Sequence, residues 1–499
     1  MYSLLKKTAL IFLVCLSTQS WAIFSFFKDK KDIHSQESYS QMQKYVVSIE
    51  IRSIEAAYTS LGTKYGTGSV VDKENGIIVT NRHVACPDSV VERYDVTLFD
   101  GTVVTGRLLY SDPWHDFAFL KVDPKDIQQI PHSLPLREEN VSLGEPVMII
   151  GKNENKHFSV QTGTVASPFE IAQDLSGQTF RISLNAQGGA SGSPVLDEKG
   201  NAAGLLFSSN GSTGAYALPM KYIAEALAAL KRNSKPSRFG TGIVFDLVSL
   251  NDLMRYDGFD NKKALEYTTK YPDAFSRILV VKSVLKNSPA YQKIQSGDVL
   301  MQIQGKECGP SHYDVDKIMN TEGAKGSKEV QICVIRNGKP LKINIPLYDL
   351  QKNKIARFIV FGKAVFVEAD DFMSQLTGSE KSVFISKTKP GGSFFDKLPC
   401  LGDNDGTGKC LIRVSSVKGN AIKTLDDVKD TILKLSKISD FSIMVYNFGA
   451  EMGYDRQYFF SQHEQIKYIS HHADVEEHAV EFIFNEKNGK WDRNEIVVK

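Results

Sequence analysis

Between Val46 and Phe207 the chain is a succession of short apolar runs, each closed by Gly, Asn or Asp. They read VVSIEI, GSVVD, GIIVT, VTLFD, FAFLKV, VMIIG, GTVAS, RISL and AAGLLF. Runs this short between turn residues suit strands, which cross a sheet in a few residues and pack β-branched and aromatic side chains well. So many in succession predict a mainly β domain, a barrel or sandwich. The pattern then switches. In MKYIAEALAALKR, Ile223, Leu227 and Leu230 recur at helical spacing. Asn233-Ser234-Lys235-Pro236-Ser237 is polar and carries a proline, which closes a first domain of residues 45–233.

At 499 residues the chain is too long for one core, and its length suggests about three domains. Residues 238–350 mix strands with helix: ILVVKSV, SGDVLMQI, a helix near Tyr313 to Met319, and VQICVIRNGKPLKINIPL. Asn337-Gly338 in the last piece is a hairpin turn signal. A similar order returns in residues 357–450, with SVFISKT, CLIRVSSVKGNAI, the helix TLDDVKDTILKL and FSIMVYN. Both segments read as α+β modules. Residues 451–499 read as a C-terminal extension with a further hairpin around Asn488-Gly489.

The first 22 residues have the layout of a secretory signal. MYSLLKK is positively charged, TALIFLVCL is a short apolar stretch, and Ser20-Trp21-Ala22 offers small residues at a cleavage point. The apolar stretch is too short for an ordinary membrane span. Residues 23–44 read as a polar lead segment. The mature chain is therefore expected to be exported, to a periplasm or out of the cell. A formal net charge of +2 gives no broad electrostatic reason to bind nucleic acid, and no nucleic-acid-reading motif occurs.

Several patterns carry no further chemistry. Outside the leader the cysteines are too scattered for a disulfide framework; Cys400 and Cys410 either close one short loop or stay free. DNDGTGK, from Asp403 to Lys409, lacks the glutamate of a calcium loop, because Val414 stands at position twelve. It lacks the flanking residues of a phosphate loop as well, and reads as a tight turn. His471, His472, Glu476, Glu477 and His478 read as a solvated face. No metal and no cofactor is expected.

Three stretches in the first domain do carry chemistry: TNRHVA around His83, HDFAFLKV around Asp116 and GGASGSPV around Ser191. A serine hydroxyl is a poor nucleophile unless an imidazole takes its proton, and the imidazole needs a carboxylate to orient it. The oxyanion formed by attack on a carbonyl needs backbone N–H donors aimed at it. Glycine beside the serine lets the backbone turn sharply enough to supply them. Each stretch alone is weak, but the order His, Asp, Ser across a β-rich domain is specific. His115 and Ser193 are the neighbours that compete for these roles.

GTGSVV followed by GIIVTNRHV, then HDFAFLKV, VMIIGKN, TGTVAS and GGASGSPV, resembles the HtrA/Deg proteases. The likeness is greatest to the fungal nuclear HtrA-like proteases and their bacterial relatives, which share His-Asp-Phe, the SGSPV ending and a later Arg-x-Gly-Thr, here Arg238 to Thr241. The resemblance implies a chymotrypsin-like double β-barrel followed by two α+β PDZ-like domains. It implies His83 as general base, Asp116 as its orienter and Ser191 as nucleophile, with the N–H groups of Gly189 and Ser191 as oxyanion hole. Ser193 departs from the family, standing where a second glycine is usual. In such a fold Asn185 lies at the base of the specificity pocket and Phe207 and Ser208 lie in its wall. Without an Asp at position 185, preference for Lys or Arg before the cut loses its electrostatic cause. NSPA and SGDVLMQIQGKE are PDZ-like, so Phe239, Gly240, Thr241, Gly242 and Ile243 become the candidate loop for the carboxylate of a C-terminal peptide ligand. The insertion from Asn251 to Phe275 could cover that groove. The resemblance further implies unfolded or peptide substrates, a role in protein quality control and a homo-oligomer, a trimer or a multiple of one. The readings that compete with it are an idle chaperone or scaffold and a secreted peptidase with one partner protein.

Overall fold

The computed structural model describes residues 36–152, 158–171, 177–209, 214–285, 288–369, 382–392, 394, 401–402, 408–417, 420–434, 438–439, 442–447, 450–452, 458–460, 464–469, 473–474 and 479–496. The signal and most of the lead, Cys400, Asp403 to Thr407, Asn210 to Thr213, Asn287, His471, His472 and Glu476 to His478 lie outside them.

The apolar runs of the first domain close into two six-stranded barrels. The first uses β1 (Val46–Ala56), β2 (Gly62–Asp72), β3 (Ile77–Thr80), β4 (Ser89–Thr97), β5 (Val103–Ser111) and β6 (Ala118–Lys121). Its order is β1-β2-β3-β6-β5-β4, and β4 pairs back onto β1. The second uses β7 (Pro146–Lys152), β8 (Phe158–Ile171), β9 (Gln178–Ile182), β10 (Pro194–Leu196), β11 (Ala202–Ser209) and β12 (Ala215–Pro219), in the order β10-β11-β12-β9-β8-β7. Closure leaves no unpaired edge. In β1 the even alternation holds: Ile49 and Ile51 are buried and Glu50 and Arg52 exposed. Burial of each such side chain is worth about 1.5–3 kcal/mol. Helix Met220–Lys231 then lays Tyr222, Ile223, Ala226 and Leu227 into the main core.

The next module is a sheet of Ile243–Ser249, Arg277–Val284, Val299–Ile303, Glu329–Arg336 and Lys339–Pro346, with Ile243–Ser249 at its edge. Asn337 and Gly338 both take positive φ (49° and 74°), as a two-residue hairpin between Arg336 and Lys339 requires. The helix expected near Tyr313 to Met319 runs further, over His312–Ala324. Alternation along Arg277–Val284 separates two cores. Leu279 and Val281 pack with Val315 and Met319 of that helix, while Ile278 and Val280 pack with Leu250, Leu253, Ala264 and Tyr267 of the insertion. The insertion forms helices Leu250–Tyr256 and Asn261–Lys270 on the opposite face of the sheet, so it does not cover the groove beside His312–Ala324. That expectation is corrected.

The last module has a larger antiparallel sheet. Its strand Arg357–Phe361 pairs on one side with Ala364–Glu368 and on the other with Ala479–Asn485, which carries Lys490–Ile496 beyond it. The C-terminal hairpin is thus part of this sheet, although it reads as a separate extension in the sequence. Ala57 and Tyr58 of the first barrel pack into the module's face against Phe358, Val365, Val367, Phe384 and Phe482. Ser386 and the fully buried Lys387 donate to the carbonyls of Ala57 and Thr59.

Candidate active site

His83 sits in the single helical turn Arg82–Ala85 that follows β3. Asp116 closes the tight turn that enters β6. The two strands are paired, Thr80 opposite Ala118, which brings His83 and Asp116 together. One Asp116 oxygen accepts the His83 N–H at 2.9 Å, and the other lies 2.6 Å from His83 Nδ1. Asn81 donates its side-chain amide to the Asp116 carbonyl at 2.9 Å. Burial would raise the Asp116 carboxyl, but the adjacent imidazole and the His83 N–H hold it below the usual carboxylate range. Asp116 is therefore ionised at neutral pH and, as the acceptor for Nδ1–H, orients the imidazole of His83.

Ser191 lies in the turn before β10. Gly189 (φ +94°) and Gly192 (φ +88°) flank it in the left-handed region. Ala190 N–H donates to the Gln187 carbonyl at 3.1 Å and Ser193 N–H to Ala190 at 3.0 Å, so the turn is tightly closed. Among the described residues, the N–H groups of Gly189 and Ser191 have no protein acceptor, and the Ser191 hydroxyl has no hydrogen bond to the imidazole. Serine–histidine bonds of this type often shorten only when substrate is bound. Two N–H groups without an acceptor, on Ser191 itself and two residues before it, are the kind of donors that suit an oxyanion.

The turn is held to the first barrel by one residue that the motifs did not single out. Thr67 donates its N–H to the Ser191 carbonyl at 2.8 Å and its hydroxyl to the Gly189 carbonyl at 2.9 Å. The same hydroxyl accepts the Lys152 N–H at 3.0 Å, and the Thr67 carbonyl accepts the Thr80 hydroxyl at 2.7 Å. Thr80 is three residues before His83, so Thr67 ties the serine turn to the strand that presents His83. Thr67→Val keeps the shape but leaves buried partners of the hydroxyl unpaired, at about 1–3 kcal/mol per group. Its kcat on a peptide substrate is expected to fall about tenfold to a hundredfold with KM little changed, and Thr67→Ser is expected to retain most of it. Steady-state kinetics of both variants check this.

Ser193, the departure from the family pattern, is accommodated by a glycine elsewhere. Its hydroxyl is buried against Gly151, where a Cβ would stand 1.8 Å away. His115, the competing histidine, is 3% exposed and turned from the site toward Asp112 and Asp316. Asn185 is exposed near the serine turn; Phe207 is buried at a bulge of β11 and Ser208 is half-buried beside it.

In the second module Gly242 has φ +82°, and a Cβ there would meet Ser288 at 2.1 Å, so the Phe239–Ile243 loop needs glycine at that point. Thr241 and Gly242 carbonyls accept from Ala290 and Leu285 N–H groups. Phe239 packs its ring against Gly323 of the helix, and its N–H donates to Asn320 at 2.8 Å. Gly240 pairs with Tyr348. Ile243 leads directly into the edge strand, as a strand-adding peptide site requires.

The chain has recognisable relatives among known proteins. Residues 66–205 match the family described as trypsin-like peptidase domain. The chain is 31% identical over 383 residues to the pro-apoptotic serine protease NMA111 of Saccharomyces cerevisiae, covering 74% of this chain and 37% of that protein. It is 29% identical over 329 residues to Protease Do-like 7 of Arabidopsis thaliana, covering 61% and 29%. The chain thus spans about a third of the length of these relatives. Among solved structures, the HtrA-type protease AlgW with tripeptide aligns over 62% of this chain and 97% of that one, at 20% identity and a TM-score of 0.45.

Proposed function

From a chain that carries a trypsin-like peptidase domain and is homologous to the NMA111 and Do-like serine proteases, we propose a serine endopeptidase acting on unfolded or damaged protein. The observation that carries the reading is the buried Asp116 carboxylate gripping both the backbone and the imidazole of His83, with the serine turn clasped to the same barrel through Thr67. His83 takes the Ser191 proton as the hydroxyl attacks the scissile carbonyl, and the Gly189 and Ser191 N–H groups receive the oxyanion. His83 then protonates the leaving amine, and water repeats the cycle on the acyl-enzyme. Asn185 offers no charge, so uncharged side chains before the cut are favoured.

The reading extends to location and partners. The leader pattern supports export, to a periplasm or beyond. The Phe239–Ile243 loop beside an edge strand supports capture of a C-terminal peptide, and the family resemblance supports assembly of several copies. The test is a fluorophosphonate probe on the purified chain lacking its leader. Labelling is expected at Ser191 alone, with degradation of casein but not of a folded protein. A chain that binds casein and is never labelled, with or without a hydrophobic C-terminal peptide, would instead be a scaffold.

A further inference from the structure

The turn that presents Asp116 is organised by a second, wholly buried carboxylate. Asp112 has a side chain with no exposure. One of its oxygens accepts the N–H groups of Trp114 and His115 at 3.0 and 2.8 Å and lies 3.2 Å from His115 Nδ1. The other accepts the Tyr110 hydroxyl at 3.1 Å. The Asp112 N–H donates to the Phe117 carbonyl, and the Asp112 carbonyl accepts from Arg82, the residue before His83. Trp114, His115 and Phe117 are thus all tied to Asp112, and Asp116 stands between the last two as the turn's penultimate residue.

The charge that balances Asp112 comes from outside the barrels. Arg238 Nε stands 2.6 Å from the second Asp112 oxygen, and the Arg238 side chain is only 3% exposed. Arg238 is the first residue of the second module. Its carbonyl accepts the Leu350 N–H at 2.8 Å, and Gln351 donates to the Pro236 carbonyl at 2.9 Å, so both ends of that module meet at this arginine. Arg238 further donates to the carbonyls of Ser237 and Tyr222. Burial would raise the Asp112 carboxyl; the guanidinium beside it, with the His115 contacts, drives it far below the usual range. The opposite side of the turn is braced from the same module. His115 Nε2 lies 3.5 Å from Asp316, which accepts the Tyr222 hydroxyl at 2.7 Å and faces His312 Nδ1 at 3.0 Å.

We propose that Arg238 is a positioning residue for catalysis: by pairing with Asp112 it completes the turn that presents Asp116, so the catalytic unit includes the root of the second module and the two barrels alone are not competent. The proposal rests on the endopeptidase reading for its effect on rate, and on geometry alone for its effect on the His83–Asp116 pair. A buried carboxylate without its cation must neutralise or find water, and either rearranges the N–H donors it organises.

The experiment uses the chain lacking only its leader, as wild type, Arg238→Met and the charge-balanced pair Asp112→Asn with Arg238→Met. Two readouts are taken: the low-field proton resonance of the His83 Nδ1–H, and the rate of fluorophosphonate labelling of Ser191. Arg238→Met is expected to lose the resonance and to label about a hundredfold more slowly, the effect of a misplacement near one ångström. The double variant is expected to regain the resonance and return to within about tenfold of wild type, as coupled sites do. Arg238→Met that keeps the resonance would overturn the proposal. If Arg238→Met does not fold, the double variant decides: restored resonance supports the pairing role, and a folded double variant without it overturns it. A wild type that shows the resonance but is never labelled defeats the endopeptidase reading instead, and the proton signal still decides the role of Arg238.

Discussion

Ser191→Ala is expected to lower kcat on casein by about 10⁶, with the protein still folded and still binding substrate. The hydroxyl makes no hydrogen bond to another described residue, so its removal should leave the melting temperature nearly unchanged. Asp116→Asn should cost about 10⁴, because the amide can leave His83 in the tautomer that cannot accept the serine proton at Nε2. Unlike the serine, Asp116 holds the His83 N–H and is buried, so its variant should also melt lower. Casein turnover and thermal unfolding of the two proteins side by side separate a lost reactant from a lost orienter. Ser191→Ala with full activity would place the nucleophile elsewhere.

Gly192→Ala is expected to be the most damaging small substitution in the first domain. The residue has φ +88°, and a Cβ there would sit 1.9 Å from the Thr67 carbonyl oxygen and 2.7 Å from the Thr80 hydroxyl. The first neighbour is backbone in a closed barrel and cannot swing aside. Left-handed strain of about 1–2 kcal/mol adds to overpacking of about 1–3 kcal/mol. For a domain of this size that lowers the melting temperature by about 5–15 °C. The same push moves Ser191, so labelling should slow by about a hundredfold or more. Gly188→Ala is the control: nothing lies within 4 Å of a Cβ at that position, and its stability should match wild type.

The pairing of His83 with Asp116 and the glycine-lined turn at Ser191 were legible because each lies in a short phrase whose neighbours are local: a strand end before His83, a strand start after Asp116, glycines around Ser191. The barrels were legible for a related reason, since their strands follow one another and turn residues mark each corner. What escaped was long-range. Thr67 bonds across 122 positions to Gly189, and Arg238 across 126 to Asp112; neither has a local pattern that announces its partner. Their signals were present as the threonine of GTGSVV and the arginine of Arg-x-Gly-Thr, but only contact shows what those residues do. Where the insertion from Asn251 to Phe275 packs was not legible, because the face it takes is set by the alternation of Arg277–Val284, a strand outside the insertion. The final hairpin was visible as a hairpin around Asn488-Gly489; its slot beside Arg357–Phe361 follows from a sheet whose strands are not neighbours in the chain.

That slot has a consequence for how the polypeptide matures. Arg357–Phe361 emerges from a ribosome, or from a translocation channel, long before the strand that will sit beside it. Until Ala479–Asn485 arrives, its open side is a sticky template for any other extended segment. Gly489, at the hairpin tip, presses so closely on Leu108 that a Cβ would come within 2.1 Å of its carbonyl. The closing step therefore also seals the far unit against the already folded barrel, making this late hairpin a latch between the two.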